Sequence, residues 1–344
     1  MSAGNYFENK NFYKRYSHVE SNLIKASKFK DAPEYSIVIP TFGRADLLKE
    51  AIGSCIGQTY SDDFEILIVD NDPARNNETE KIILDMDDDR IAYYKNTENI
   101  GCLGNFNRCI ELGRSEYLIM LHTDDLLDAE FLDTVIPLIE ANPSMDMLVP
   151  GKRIFRNGAI SHQKGLGYLS RLLGTGNRAV KLRTRDFGYY NIVGGPLGIV
   201  LKKSKCLDIG GFNEDLFPMS DYAFWVRMVK DYNVYYLPME LGTYRFFNNI
   251  SSEKGMQQNY IENEFYVISD LIKEMSFNRI MSGYLYEYIN FRANKPGLDK
   301  NLIFKKITGR PYKAGIIRKF QFIHAIAGFS LSYIKRALGS KMRV

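Results

Sequence analysis

The sequence predicts an α/β protein with a Rossmann-like, mostly parallel sheet flanked by helices and a basic helical extension at its C-terminal end. Short runs of apolar, β-branched residues alternate with segments of helical periodicity throughout the first 125 residues. Several of these runs end in polar clusters, as strands that lead into ligand-binding loops do. Residues 300–344 carry eleven Lys or Arg and no Asp or Glu, so the end of the chain differs in character from the rest.

The first strand–helix–strand unit begins after Glu34. The run YSIVIPT predicts a buried strand, ADLLKEAIGSCIGQTY a helix, and FEILIVDND a second buried strand. Because both strands are apolar on both faces, they predict a right-handed, parallel βαβ unit.

The alternation then continues through a second unit. We predict a helix over Thr79–Met86, a strand over RIAYYKN, a helix over Phe106–Leu112 and a strand over EYLIMLHTDD. Ligands of such sheets bind beyond the carboxyl ends of the strands. The polar clusters at residues 41–44, 70–72 and 122–125 follow these ends, which predicts a nucleotide-binding half.

Beyond residue 128 the pattern becomes less regular. A helix over FLDTVIPLIEANP and a strand over DMLVPGKRIF lead into a Gly-rich, basic stretch at residues 156–185, which we expect to be a mobile excursion. Short strands, glycine turns and one helix follow, and these are expected to form the second side of the site.

Composition sets limits on the class of protein. With 344 residues, 45% hydrophobic and 25% charged, the chain suffices for one main domain with an appendage. Its four cysteines show neither CxxC spacing nor zinc-type histidine partners, which disfavours a disulfide framework and a structural zinc site and fits a reducing cytoplasm. The N-terminal residues lack the apolar segment of a secretory signal or a membrane span.

Three carboxylates at strand ends are candidate ligands. Asp124 and Asp125 follow the run YLIMLH, and such oxygen ligands suit Mg²⁺ or Mn²⁺ bound to substrate phosphates, although a helix N-cap is the better explanation of an Asp pair taken alone. Asp70 ends ILIVDND, where a carboxylate can bind a base or ribose, while simple turn chemistry accounts for Asn71 and Asp72. No Walker or GxGxxG pattern occurs at these junctions, so phosphates would depend on a metal and on bases such as Arg44.

Five blocks in this order resemble family 2 glycosyltransferases of the GT-A fold. The blocks are IVIPTFGR, EILIVDND, ENIGCLGNFN, YLIMLHTDD and GGFNEDLF followed by SDYAFWVRM, within residues 35–250. The resemblance implies roles for the residues of the nucleotide cluster. Pro40, Thr41 and Phe42 would line the base pocket, Arg44 would lie near the diphosphate, Asp70 would read the base, and Asn99 and Gly101 would lie beside the donor.

The resemblance also implies a metal site and a catalytic base. The family's metal motif maps onto residues 122–125, with His122 at a commonly acidic position, so the metal is assigned to Asp124 and Asp125. Asp221 takes the place of the base of an inverting transfer, a role compatible with N-capping its helix. Trp225, later in that helix, is expected in the core. Where relatives carry a metal-assisting histidine, this chain has Phe247 or Asn248.

The basic tail carries a second pattern. From Ile316 the apolar residues recur every three to four positions between clusters of bases, and only fifteen residues separate Lys319 from Lys335, too few to span a bilayer. A basic amphipathic helix on an anionic membrane is favoured over the alternative, a helix packed on the protein body. Nucleic acid is not expected as a partner, because no binding module is present. The stripe consists of Phe320, Ile323, Ala327, Leu331, Ile334 and Leu338.

Together these features predict an inverting glycosyltransferase that uses a nucleotide-diphosphate sugar, UDP by default, with Mn²⁺ or Mg²⁺. The acceptor would be a lipid-linked glycan of bacterial surface polysaccharide (O-antigen or capsule), and the enzyme would be cytoplasmic and peripheral on the inner face of the cell membrane. An inactive nucleotide-binding scaffold and a nucleotidyltransferase are the alternatives; the latter would need a Gly-rich loop with a lysine after the first strand, which PTFGRADLL lacks. The predicted division is a lead-in at 1–33, a GT-A domain at 34–250 with nucleotide-binding (34–127) and acceptor-binding (128–250) halves, and a basic helical region at 251–344.

Overall fold

A computed structural model describes residues 6–7, 10–162, 177–246, 254–273, 278–340 and 342. Within these residues, eleven strands form one mixed sheet with the order β1-β4-β3-β2-β5-β10-β7-β11-β6, and β8 and β9 pair with β7 and β11. The strands are β1 Ser21–Lys25, β2 Tyr35–Thr41, β3 Glu65–Asp70, β4 Ile91–Asn96, β5 Tyr117–Met120, β6 Leu126–Leu127, β7 Met147–Arg156, β8 Ala159–His162, β9 Val180–Lys181, β10 Ile199–Lys202 and β11 Val234–Phe246.

Helices cover the sheet, and most of those described follow the predicted order. They are α1 Ala45–Ile56, α2 Glu78–Leu84, α3 Gly101–Leu112, α4 Phe131–Glu140, α5 Thr184–Phe187, α6 Lys203–Asp208, α7 Ser220–Asp231, α8 Lys254–Lys273, α9 Asn278–Ala293, α10 Lys300–Thr308 and α11 Ile316–Gly339.

The strands β4, β3, β2 and β5 are parallel and lie in the half that we predicted to bind the nucleotide. Thr41 and Asp70 are register partners at the ends of β2 and β3, so the polar residues that follow these strands meet at one edge of the sheet. The antiparallel strand β10 joins β5 to β7, and β7 runs parallel to β11. The prediction of a mostly parallel, Rossmann-like sheet flanked by helices is confirmed.

Both faces of this half are buried, which explains its continuous apolar strands. Ile66 and Ile68 of β3 belong to the same apolar cluster as α1 and α4, while Leu67 and Val69 belong to the cluster that includes α3. Successive strand residues point to opposite faces, so both sets must be apolar.

Two features differ from the expectations. Residues 21–25, assigned to a lead-in, form β1 and add an antiparallel edge to β4. Helix α3 begins at Gly101, whose positive φ of 75° suits glycine, and not near Phe106. The boundaries at residues 33, 127 and 250 stay predictions. Much of the expected excursion at 156–185 lies outside the described residues.

The C-terminal helices pack on the body. Residues of α8, α9, α10 and α11 share the apolar cluster of α3 and α7. Helix α11 buries Ala325, Phe329, Tyr333 and Ala337, spaced every four residues along one face. Arg336 reinforces this packing by pairing with Asp186, Nη1 to Oδ2, at 2.7 Å. Within the described residues, none of the helices combines the length and apolar character needed to cross a membrane.

Candidate active site

Two adjoining cavities lie at the carboxyl edge of the sheet. The first has a volume of about 350 Å³ and the second about 490 Å³, and Cys102, Phe106 and His122 line both. They therefore form one cleft, with the nucleotide-binding half on one side and the second half of the domain on the other. After the roles that the sequence analysis predicts for their lining residues, we call them the donor cavity and the acceptor cavity.

Most of the predicted nucleotide-binding residues line the donor cavity. Its lining includes Pro40, Thr41, Phe42, Arg44, Asn99 and Asp124, together with Asn71 and Asn105. Phe42 is 59% exposed, so its ring is available to a flat ligand. Thr123 fixes the opposite wall, because its Oγ1 donates to the Pro40 carbonyl at 2.9 Å.

Asp70 lies behind this wall and is fully buried. Lys95 Nζ and Tyr93 OH donate to its Oδ2, each at 2.8 Å. Asn71, the residue after Asp70, lines the donor cavity. Its Nδ2 donates to Asn99 Oδ1 at 2.8 Å and to the Gly101 carbonyl at 3.1 Å. The structure thus places Asn71 closer to a ligand than sequence reasoning did, and Gly101 supports the wall through its carbonyl.

Arg44 links the end of β2 to the carboxylate cluster. It caps α1 with a left-handed backbone at φ 53°, and its guanidinium reaches Asp124 Oδ2 at 3.0 Å. A non-glycine residue in this conformation is uncommon and costs backbone energy. The side chain is thereby aimed at the cluster where a diphosphate would bind.

His122, Asp124 and Asp125 form a group whose potential ligand atoms all lie within 4.8 Å of one another. Among the described residues, His122 Nε2 and Asp125 Oδ2 are buried without a hydrogen-bond partner. Buried polar atoms are normally satisfied, and imidazole nitrogens and carboxylates are ligands for divalent metals. The group fits a divalent cation, and it makes His122 a third candidate ligand beside the predicted Asp124 and Asp125.

Burial shifts the protonation of this group. It raises the pKa of Asp125, assisted by the charge of Asp124, and lowers the pKa of His122. The Arg245 backbone N–H donates to Asp125 Oδ1 at 2.9 Å, which leaves Oδ2 facing the group. Without a cation, the site therefore resists full ionisation.

Asp221 lines the acceptor cavity as the second residue of α7. Its Oδ1 accepts a hydrogen bond from the Tyr222 N–H at 2.6 Å, and burial raises its pKa to about 7. A carboxylate with a pKa near neutrality, set in a cleft, has the properties of a general base.

Lys152 is a cleft residue that sequence reasoning missed. Its Nζ donates to the carbonyls of Val193 at 3.1 Å and Gly195 at 2.7 Å. Burial lowers its pKa, while the charges of Asp125 and Asp221 oppose that shift, so Lys152 interacts electrostatically with both acidic groups. The only signal in the sequence was a lysine within the apolar run that became β7.

Two residues of α7 hold the surrounding loops. Trp225 is fully buried and its Nε1 donates to the Gly194 carbonyl at 3.0 Å, which confirms its expected core position. Arg227 is also buried and donates to the Ile209 carbonyl at 2.6 Å and to the Gly211 carbonyl. The position of the family's histidine, Phe247 or Asn248, lies outside the described residues.

Comparisons with known proteins agree with this geometry. The sequence model described as Glycosyl transferase family 2 matches residues 36–192. The chain is similar to a GalNAc(5)-diNAcBac-PP-undecaprenol beta-1,3-glucosyltransferase of Campylobacter jejuni, with 26% identity over 285 residues, 82% of this chain and 81% of that protein.

Two solved structures share the fold. Staphylococcus aureus TarS 1-349 in complex with UDP-GlcNAc aligns with a TM-score of 0.59 and 16% identity over 89% of this chain and 83% of that one. The mannosyltransferase PcManGT of Pyrobaculum calidifontis, in complex with GDP-Man and Mn²⁺, aligns with a TM-score of 0.52 and 14% identity over 95% and 91%. At these identities the likeness concerns the GT-A fold.

Proposed function

We propose that this chain, which carries a Glycosyl transferase family 2 domain over residues 36–192 and shares the GT-A fold, transfers a sugar from a nucleotide-diphosphate sugar to a glycan hydroxyl with inversion at the anomeric carbon. One observation carries the proposal. His122 and Asp124, which belong to the same group as the buried Asp125, line one cleft together with Asp221, on its donor and acceptor sides.

The acceptor side provides the proton acceptor. Asp221 takes the proton of the acceptor hydroxyl as its oxygen forms a bond to the anomeric carbon, and the bond from that carbon to the diphosphate oxygen breaks. Attack from the face opposite the leaving nucleotide inverts the configuration and needs a single base. Lys152, held by two carbonyls, stabilises the ionised form of Asp221.

The donor side binds the leaving group. The base would stack on Phe42, and the amide cluster around Asn71 and Asn99 would fix the ribose or base. A Mn²⁺ or Mg²⁺ ion held by His122, Asp124 and Asp125 would neutralise the negative charge of the diphosphate. Arg44 binds a diphosphate oxygen in place of Asp124, and buried Asp70 anchors the wall.

Calorimetric titration of the full chain with UDP, GDP and dTDP, each with and without Mn²⁺, tests the donor site. We expect metal-dependent binding of one nucleotide, with UDP as the default, and its loss in Asp124→Ala. Binding that is the same with EDTA, or none with any nucleotide, would contradict the assignment.

We assign a lipid-linked glycan as the acceptor class, as in the assembly of bacterial surface polysaccharides such as O-antigen or capsule. The Campylobacter jejuni relative supports this, because its name specifies a sugar chain on a polyprenyl diphosphate. Such an acceptor would place the enzyme on the inner face of the cell membrane.

The exposed face of α11 supports binding to that membrane. The predicted stripe faces away from the buried one, and Phe320, Ile323 and Leu331 are 68%, 63% and 67% exposed. Lys319 and Lys335 flank the stripe in a region without acidic residues. An apolar face edged by bases is the pattern of a helix that lies in an anionic lipid interface. The helix thus packs on the protein by one face and offers another to lipid.

A further inference from the structure

A third cavity of about 430 Å³ shares part of its wall with the acceptor cavity. Phe246, Tyr260 and Arg292 line both. The described lining of the third cavity includes the basic residues Arg156, Arg292 and Lys295 and no carboxylate. We call it the basic cavity.

Its floor begins at two strand ends. Arg156 and Phe246 are the last residues of β7 and β11 and are register partners in that parallel pair. The guanidinium carbon of Arg156 lies 3.8 Å from the centre of the Phe246 ring. Stacking on an aromatic face restricts the guanidinium while leaving its N–H groups open to a planar or tetrahedral anion.

The opposite wall comes from α9 and the turn after it. Arg292 Nη1 donates to Glu264 Oε1 and to the Tyr288 hydroxyl, each at 2.9 Å, which fixes its orientation. Lys295 follows one turn later. Its pKa is lowered, first by burial and then by the positive charges of Arg292 and Arg156, so the three cations lie within electrostatic reach of one another.

Glu264 balances the charge of Arg292 through an ion pair at 2.7 Å, so Arg156 and Lys295 carry the remaining positive charge of the cavity, which a bound anion would stabilise. The donor diphosphate already has its own site beside Arg44, in the cavity that does not include these residues. The basic cavity instead continues from the chamber that contains Asp221.

We propose that the basic cavity is an acceptor subsite that binds an anionic group, a phosphate ester or a carboxylate, close to the hydroxyl that receives the sugar. This inference rests on the proposed function and narrows it to acidic acceptors. A phosphate ester would come from a polyprenyl-diphosphate carrier, and a carboxylate from an acidic sugar.

Calorimetry on the full chain saturated with UDP and Mn²⁺ tests the subsite, because the donor site is then filled. The probes are farnesyl diphosphate, methyl glucuronide and the neutral methyl glucoside. We expect one anionic probe to bind and the neutral one not to. Arg156→Gln and Lys295→Gln should each weaken that binding about 10-fold, the value of a charged hydrogen bond. Farnesyl diphosphate binding would identify the carrier phosphate, and methyl glucuronide binding an acidic sugar.

Lys305→Gln is the matched control, since this exposed lysine of α10 is not part of the cavity lining. Absent binding of both anionic probes, or equal losses in all three variants, would overturn the subsite. UDP binding, measured in the same samples, distinguishes this failure from failure of the proposed function. If the chain binds UDP but neither anionic probe, the subsite is refuted and the proposed function is not.

Discussion

His122 Nδ1 lies 3.9 Å from Asp125 Oδ2, and each residue has a buried polar atom, His122 Nε2 and Asp125 Oδ2, without a hydrogen-bond partner among the described residues. Such a pair is costly unless something binds between the two side chains. The divalent cation proposed for this group would satisfy both atoms.

His122→Ala should therefore weaken Mn²⁺ binding, measured with UDP present, by about 10- to 100-fold, because one ligand is lost. His122→Asp, which restores an oxygen ligand, should recover part of the affinity. The control is His324→Ala, an exposed histidine of α11. Equal Mn²⁺ affinity in wild type and His122→Ala would show that His122 is not a ligand.

Arg44→Gln should raise the KM for the donor about 10-fold with a small change in stability, because the guanidinium is exposed and directed at Asp124. Initial rates at varied donor concentration measure the effect. Lys49→Gln, at an exposed position of α1, should leave the KM unchanged. An equal rise in KM in both variants would point to a general charge effect.

The rate should depend on the ionisation of Asp221. Because burial raises its pKa to about 7, activity should be low at pH 5.5 and rise through an apparent pKa near that value as the base loses its proton. Asp221→Asn should reduce kcat by about 10²- to 10⁴-fold and abolish the rise of the rate with pH. If the rate of Asp221→Asn still rises with pH in the same range, the rise is due to the ionisation of another group.

Asp221 should also affect stability, with a definite sign. Its folded pKa lies above the unfolded value of 3.8, so the native state holds the proton more tightly and loses stability as pH rises from about 4 to 7. Asp221→Asn removes the cost of the buried charge. At pH 8 the variant should be more stable than wild type by on the order of 2 kcal/mol, and the gap should shrink at pH 5. Thermal melts at both pH values measure this difference, and a gap that widens at pH 5 would contradict the sign.

Vesicle flotation tests the exposed face of α11. The chain should float with vesicles containing anionic lipid and lose binding in 0.5 M salt. The double variant Ile323→Asp, Leu331→Asp should not float, and Lys335→Gln should weaken binding about 5-fold, since each base near the surface contributes about 1 kcal/mol. Lys49→Gln, on the helix α1, is the control. Unchanged flotation of the double variant would assign lipid binding elsewhere.

The sequence predicted the nucleotide-binding half well because its information is local. Apolar periodicity gave the strands and helices, and the strand ends placed Arg44, Asn99 and Asp124 around one cavity. Contacts between segments that are distant in the sequence were harder to predict. The antiparallel pairing of β1 with β4, and the Lys95 partner of Asp70, follow from sheet register, which no local pattern specifies.

The second half was harder to predict for the same reason. Lys152 resembles any lysine in a strand until β7 is placed between β10 and β11, and its electrostatic interaction with Asp125 and Asp221 depends on that order. Arg156 and Lys295 line one cavity although they lie far apart in the sequence. Both features were absent from the sequence-based prediction.

The most direct test is nucleotide release by the purified full chain from UDP-, GDP- and dTDP-sugars, with membrane extract as the acceptor source and with Mn²⁺ or EDTA. Wild type, Asp124→Ala and Asp221→Asn are compared. We predict Mn²⁺-dependent release from one donor, reduced at least about 100-fold in both variants. Release that persists in EDTA and in both variants, or no release from any donor, would contradict a metal-dependent transferase with Asp221 as its base.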